Sequence, residues 1–158
     1  MSVSALRPAF LALGALPILG GAADAGIIAA DPNGVLSAMH DFGYAATLET
    51  DSQGDPKISS RVSQSNFVVF FYGCTDNVDC SSVQFYAGYD LTDSFSALRA
   101  NEWNRNQLFT KATIDDEGDP SLEMDVNLDF DGSGADNFQD VLDIWRVSIE
   151  EFEDFIDF

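Results

Sequence analysis

Cys74 and Cys80 are the only cysteines of the 158-residue chain, and they bracket five residues between two segments that read as pairing strands. In an oxidising compartment that spacing predicts a disulfide stapling a hairpin. Closing so short a loop stabilises by about 2–2.5 kcal/mol on the chain-entropy account. Redox chemistry would ask for a low-pKa thiol, usually in C-x-x-C spacing at a helix start, and zinc for more thiols or imidazoles than this chain owns. His40, the sole histidine, sits one position off the apolar stripe of a short helix and reads as a boundary residue. A second pattern is Asp129, Asp131 and Ser133, with Gly134 and then Asp140. Hard oxygen donors at positions 1, 3, 5 and 12 around a glycine turn are what a calcium loop requires. Position 8 is Asp136 where an apolar residue is usual, and the preceding segment alternates like a strand. The competing reading is a glycine turn leading into a helix capped by Asp136. The acidic turn Asp115 to Asp119 offers paired carboxylates, which do acid–base work only where a pocket perturbs them. With no G-x-S-x-G and no glycine-rich phosphate loop, the expectation is a protein that is not an enzyme and needs no cofactor, calcium being the alternative.

The elements that must hold these residues follow from periodicity. Asp31-Pro32-Asn33-Gly34 is a helix start with Asp31 as N-cap, and Val35, Leu36, Met39 and Phe42 share one face until Gly43. Tyr44, Ala46 and Leu48, then Ile58, Ser60 and Val62, alternate about the turn Ser52 to Asp55, predicting a hairpin. Phe67 to Tyr72 is apolar at every position, the pattern of a central strand covered on both faces. Val83 to Tyr89 alternates, and a short helix through Trp103 follows, capped by Thr92 or Asp93. Leu108 to Ile114 reads as a strand, and Leu122 to Phe130 alternates with acids so that one face is core. From about Asp136 a long helix carries Phe138, Val141, Leu142, Trp145, Ile149, Phe152 and Ile156 in one stripe, which Ile144, Val147, Phe155 and Phe158 widen. Trp145, Phe152, Phe155 and Phe158, beside the acidic end Glu150 to Asp157, form a candidate partner surface. The predicted order is α-β-β-β-β-α-β-β-α: an α+β domain with an antiparallel sheet of about six strands and three helices.

Residues 1–25 read as a signal peptide. Arg7 precedes the apolar run Ala9 to Ile18, and Ala23-Asp24-Ala25 closes it. The remaining 26–158 form one domain, expected to be periplasmic or secreted, with no later run able to insert stably in a membrane. Seven basic against 27 acidic residues give a net charge of −20. Nucleic acid and anionic lipid are thereby excluded as partners, while solubility in salt, cation binding or a basic protein partner remain.

Several of these pieces, in order, resemble the YbjN-domain family of Gram-negative bacteria, in its exported form. They are Gly43-Tyr44, Gly54-Asp55-Pro56 with Ile58, Phe67 to Cys74 with Cys80, Asn101-Glu102-Trp103-Asn104, the Leu122 to Leu128 strand, and Trp145 with Phe152. Trp103-Asn104 is the best single marker. The resemblance implies a fold like that of type III secretion chaperones and a role in sensory transduction, and it assigns no catalytic residue. Trp103 and Asn104 are expected to anchor the second helix and satisfy backbone groups. The resulting expectation is a non-enzymatic interaction or regulatory module with a protein partner, compatible with a homodimer. The alternative is a cation-responsive protein using Asp129 to Asp140.

Overall fold

The computed structural model describes residues 26–158, so the expected signal peptide lies outside the described residues. Among them the order is α1 (Pro32–Asp41), β1 (Ala46–Thr50), β2 (Pro56–Val62), β3 (Ser65–Tyr72), β4 (Ser82–Gly88), α2 (Ala97–Asn106), β5 (Lys111–Ile114), β6 (Pro120–Asn127) and α3 (Ala135–Ile156). The six strands form one antiparallel sheet ordered β1-β2-β3-β4-β6-β5. This is the α+β fold and the element order that periodicity predicts.

The helices share a single face of the sheet. Phe67, Val69 and Phe71 of β3, Val83, Phe85 and Ala87 of β4, and Leu122 and Met124 of β6 point into one core. Alternation along each strand sends the intervening residues to the opposite side. On α3, Trp145 is fully buried against Phe67 (5.9 Å between ring centroids) and Phe85 (5.6 Å). Two turns further on, Phe152 meets Trp103 of α2 at 4.8 Å and Tyr89 at 5.4 Å. Val35, Ala38 and Met39 of α1 complete the layer. The sheet and the neighbouring helices bury Phe138, Leu142, Trp145, Ile149, Phe152 and Ile156 of α3, with Val141, Ile144 and Phe155 partly buried and Val147 left exposed.

Several local expectations change. Phe67 to Tyr72 is central in the sheet but covered on one face only: Val68 and Phe70 are half-buried and Tyr72 is 49% exposed. The cap of α2 is Ser96, whose Oγ accepts from Arg99 N at 3.3 Å, not Thr92 or Asp93. The α3 N-cap is Gly134, with Asp136 in the first turn, where its charge still meets the helix dipole favourably. β5 begins at Lys111 because Leu108 and Phe109 are 91% and 63% exposed in the turn before it. β6 ends at Asn127, and Phe130 lies outside it at φ 55° and 88% exposed. Ahead of α1, Ile27 pairs with Ser133 in both directions (2.7 and 3.0 Å), and Ala29 N donates to Leu128 O. A Cβ on Gly26 would collide with the Asp131 carbonyl oxygen, so position 26 of this entry strand admits only glycine.

Candidate functional site

Each residue singled out by its chemistry has a place in this frame. Cys74 and Cys80 are disulfide-bonded across the β3–β4 connection. Inside the loop Thr75 and Val78 bond each other both ways, and Asp76, Asn77 and Asp79 take positive φ to close it. Asn77 then donates to Gln53 O and Asp55 Oδ1, tying this loop to the β1–β2 turn. His40 shares a 2.9 Å hydrogen bond with the Ala46 carbonyl on the outer edge of β1. The histidine is therefore an edge cap on the first strand.

Asp129, Asp131, Ser133 and Asp140 are not gathered as calcium ligands. Asp129 Oδ1 accepts from Phe130 N, Ser133 is bridged to Ile27, and Asp140 projects from the second turn of α3. Backbone of the entry strand packs against Asp131 and Gly132, where a calcium loop would turn inward. Among the described residues, the carboxylates that cluster within 4.8 Å are Asp115, Glu117 and Asp119. Local turn chemistry explains that cluster. Asp115 Oδ1 accepts from the N–H groups of Glu117 and Asp119, while Asp119 Oδ1 holds Leu91 N.

The expected C-terminal partner surface requires correction. Trp145 and Phe152 are fully buried, and Phe155 is half-buried between Trp103 (5.4 Å) and Arg99, whose guanidinium lies 4.7 Å from its ring centroid. Phe158, partly exposed, packs its ring on Tyr89. Trp145 and Phe152 are core and Phe155 packs against it, because α2 and Tyr89 cover the part of the stripe that the sheet does not, while Phe158 stays exposed at the end of the helix. Trp103 is buried with Nε1 on Thr110 Oγ1 at 3.3 Å. Asn104 bonds the backbone of Ala112 in both directions, at 2.7 and 3.1 Å, and so occupies the outer edge of β5 as a further strand would. The pair anchors α2 and satisfies backbone groups.

What spacing could not reveal is the helix-free face of the sheet. Register places Glu49, Lys57, Phe70, Gln84 and Asp125 in one row across it. The next row is Thr47, Ser59, Val68, Tyr86, Glu123 and Lys111. Phe70 and Tyr86 meet edge to face at 6.0 Å in the middle. Charge pairs flank them: Lys57 with Glu49 at 3.5 Å on one side, and Lys111 with Glu123 and Asp125 at 3.1 and 2.9 Å on the other. Gln84 Nε2 donates to Asp125 at 2.7 Å. Burial alone would raise the Asp125 carboxyl, but the bonds from Lys111 and Gln84 together hold it below its ordinary value. The Asp125 bond in turn raises Lys111 against the pull of burial. Burial first, then Glu123 and Asp125, raise the Tyr72 phenol. Counting strand residues on this face, Lys57, Arg61 and Lys111 balance Glu49, Glu123 and Asp125, so the face is neutral. Residues 26–158 hold six basic and 26 acidic residues, and 6 − 26 = −20. The entire charge excess thus lies on other surfaces. One residue of another kind also escapes periodicity. Glu153, 5% exposed on α3, accepts from Ser63 Oγ (2.6 Å), Gln64 N (3.2 Å) and Ser65 Oγ (2.5 Å) in the β2–β3 turn.

No helix among the described residues is long and apolar enough to cross a membrane. A family model with the description "YbjN: Putative bacterial sensory transduction regulator" matches residues 31–158. No curated protein and no solved structure matches the chain significantly.

Proposed function

We propose that this chain, which belongs to the YbjN family, is an exported regulatory module that acts by binding protein, not by catalysis. The observation that carries the reading is the neutral sheet face with Val68, Phe70, Tyr72 and Tyr86 at its centre. A flat face that keeps large apolar side chains half-exposed suits protein contact, because a protein interface is an apolar core with a polar rim. The leader-like residues 1–25 and the disulfide support export. A chaperone-like activity fits the same face. The cation-responsive alternative has less behind it, since the Asp129 loop is packed against backbone and the Asp115 cluster is spent on its own turn. Calorimetry separates the two: the present reading expects no saturable heat with calcium. The direct test is affinity capture from the native periplasm, comparing wild type with Phe70→Asp. Retention of a specific protein by wild type and its loss in the variant, with an unchanged melting curve, is the expected result. Equal retention by both moves the site elsewhere.

A further inference from the structure

The outer side of α3 carries a stripe that the core does not use. Asp140, Ile144, Val147, Glu151 and Asp154 recur at intervals of three and four residues and so share one helical face. Acids stand at both ends of it, while Ile144 near the centre is half-buried and Val147 is 41% exposed. Val147 and Phe109, from the turn between α2 and β5, line one open groove of about 360 Å³. A second hollow of about 410 Å³ continues it toward Trp103 and Phe155, and Gln107 and Glu151 line both. A 3.1 Å hydrogen bond between those two side chains ties the turn to the helix where the hollows meet.

We infer that this groove binds a basic amphipathic helix of another protein, with its apolar side on Phe109 and Val147 and its cations on the acids at the two ends. The site is separate from the helix-free sheet face and does not depend on it. The apolar centre has no role in the fold. Leu108 and Phe109 are adjacent and largely exposed in a turn that polar residues would serve as well. A lone exposed apolar side chain means little, but Phe109, Ile144 and Val147 lie around one concave surface.

Charge selects the sign of the partner. The residues lining the two hollows include Asp140, Asp143, Glu151 and Asp154, and no base. Arg146, on the flank, pairs with Asp143 at 3.8 Å and with Glu150 at 3.2 Å. Asp140, Glu151 and Asp154 enter no ion pair among the described residues. Lysines or arginines of a partner would meet these acids unneutralised, whereas an acidic partner would be repelled. Backbone selects the shape. The groove is built from side chains of a helix and a turn, and the nearby edge of β5 is occupied at Ala112 by Asn104. An extended segment would find no strand edge to pair with, but a helix satisfies its own backbone and presents anchors at helical spacing. From Asp140 to Asp154 the stripe runs about 21 Å, so about 14 residues of partner helix reach both acidic ends.

The test is fluorescence anisotropy with the protein expressed from its full sequence. The probe is a synthetic peptide of about 14 residues, with leucines along one helical face and lysines at both ends. One control peptide shuffles the same residues so that the leucines no longer align, and another replaces every lysine by glutamate. The ordered lysine peptide should bind saturably, the shuffled one about tenfold or more weaker, and the glutamate one not at all. D140K/D154K should weaken binding by about tenfold or more, and F109S/V147N by a similar factor. D116K/E117K, in the turn between β5 and β6, changes net charge equally and should weaken binding by less than about threefold. All six substituted side chains are exposed, and a melting curve for each variant checks that it folds as wild type does. Absence of saturable binding, equal binding of ordered and shuffled peptides, or indifference to lysine against glutamate would each overturn the proposal. So would wild-type binding by F109S/V147N, or equal losses in the two charge variants, which would mean diffuse attraction to an acidic surface only. None of these residues lies on the helix-free sheet face, so this outcome and that of the Phe70→Asp capture can fail separately.

Discussion

Glu153 is a side-chain carboxyl inside the molecule that pairs with no cation among the described residues and is held by two hydroxyls and one backbone N–H around the β2–β3 turn. Hydrogen bonds to a charged group contribute more than neutral ones, and removing the acceptor orphans the buried Ser65 hydroxyl and takes the partner from two part-buried donors, Ser63 Oγ and Gln64 N. Glu153→Ala should lower stability by about 2–4 kcal/mol, read as a drop in the urea midpoint at unchanged m. Glu153→Gln should cost less, because its carbonyl still accepts and the serine hydroxyls can turn. Near it Tyr89 is buried, with no partner for its hydroxyl at hydrogen-bond geometry, and burial pushes its phenol up to about 12. A phenol ionising near pH 10 in the unfolded chain and near 12 in the fold leaves stability intact below pH 10. It then withdraws stability as pH climbs from 10 to 12, since only the unfolded chain has shed the proton there. Alkaline denaturation should steepen in that window, by about 2–3 kcal/mol in all, and Tyr89→Phe should remove that part of the slope. At this scale the sequence was partly legible. The bonded Cys74 and Cys80 could be read from spacing, and Trp103 and Asn104 as an anchor from the family resemblance. Glu153 could not, because its partners lie 88 to 90 residues away and a glutamate beside other acids reads as solvated surface.

At the scale of elements, the sheet ends matter most. An edge strand exposes unpaired backbone groups that recruit other strands. Here β5 is blocked at Ala112 by Asn104, and β1 at Ala46 by His40. Asn104→Ala should free both Ala112 groups and weaken the hold of α2, costing about 1–2 kcal/mol. It should also raise thioflavin binding on prolonged warming, whereas Asn104→Asp, which keeps the acceptor, should fall between. Element types and order were legible because alternation and helical stripes are local. Face coverage was not: Phe67 to Tyr72 looks alike whether its second side meets a helix, water or another molecule, and only the placement of α1, α2 and α3 on one side decides. The same blindness made Trp145 and Phe152 look like surplus surface, since the layer that buries them includes α2, distant in sequence.

For the whole molecule, charge is the dominant fact. The ion pairs of the described residues involve exposed or half-exposed side chains and contribute little each. Repulsion within an excess of −20 is the larger electrostatic effect. Salt screens beyond about 10 Å at 0.1 M, so it should relieve the repulsion more than it weakens the pairs. Raising sodium chloride from about 0.05 to 1 M should lift the melting temperature by roughly 3–6 °C. A fall would mean the pairs outweigh the repulsion. Composition made this trait legible, but not its distribution, because the neutral face appears only once six strands are laid side by side.

The entry strand bears on where the unit of folding begins. The family match begins at residue 31, yet Ile27 is zipped to Ser133 and Ala29, fully buried, to Leu128. The stretch matched by the family model and the mechanical unit thus differ by several residues. A gene fragment cut where the family match begins would discard a clasp that fastens the approach to α1 onto the turn before α3. Such a shortened protein should fray at the seam between its first and last helices while every recognisable family feature is still present.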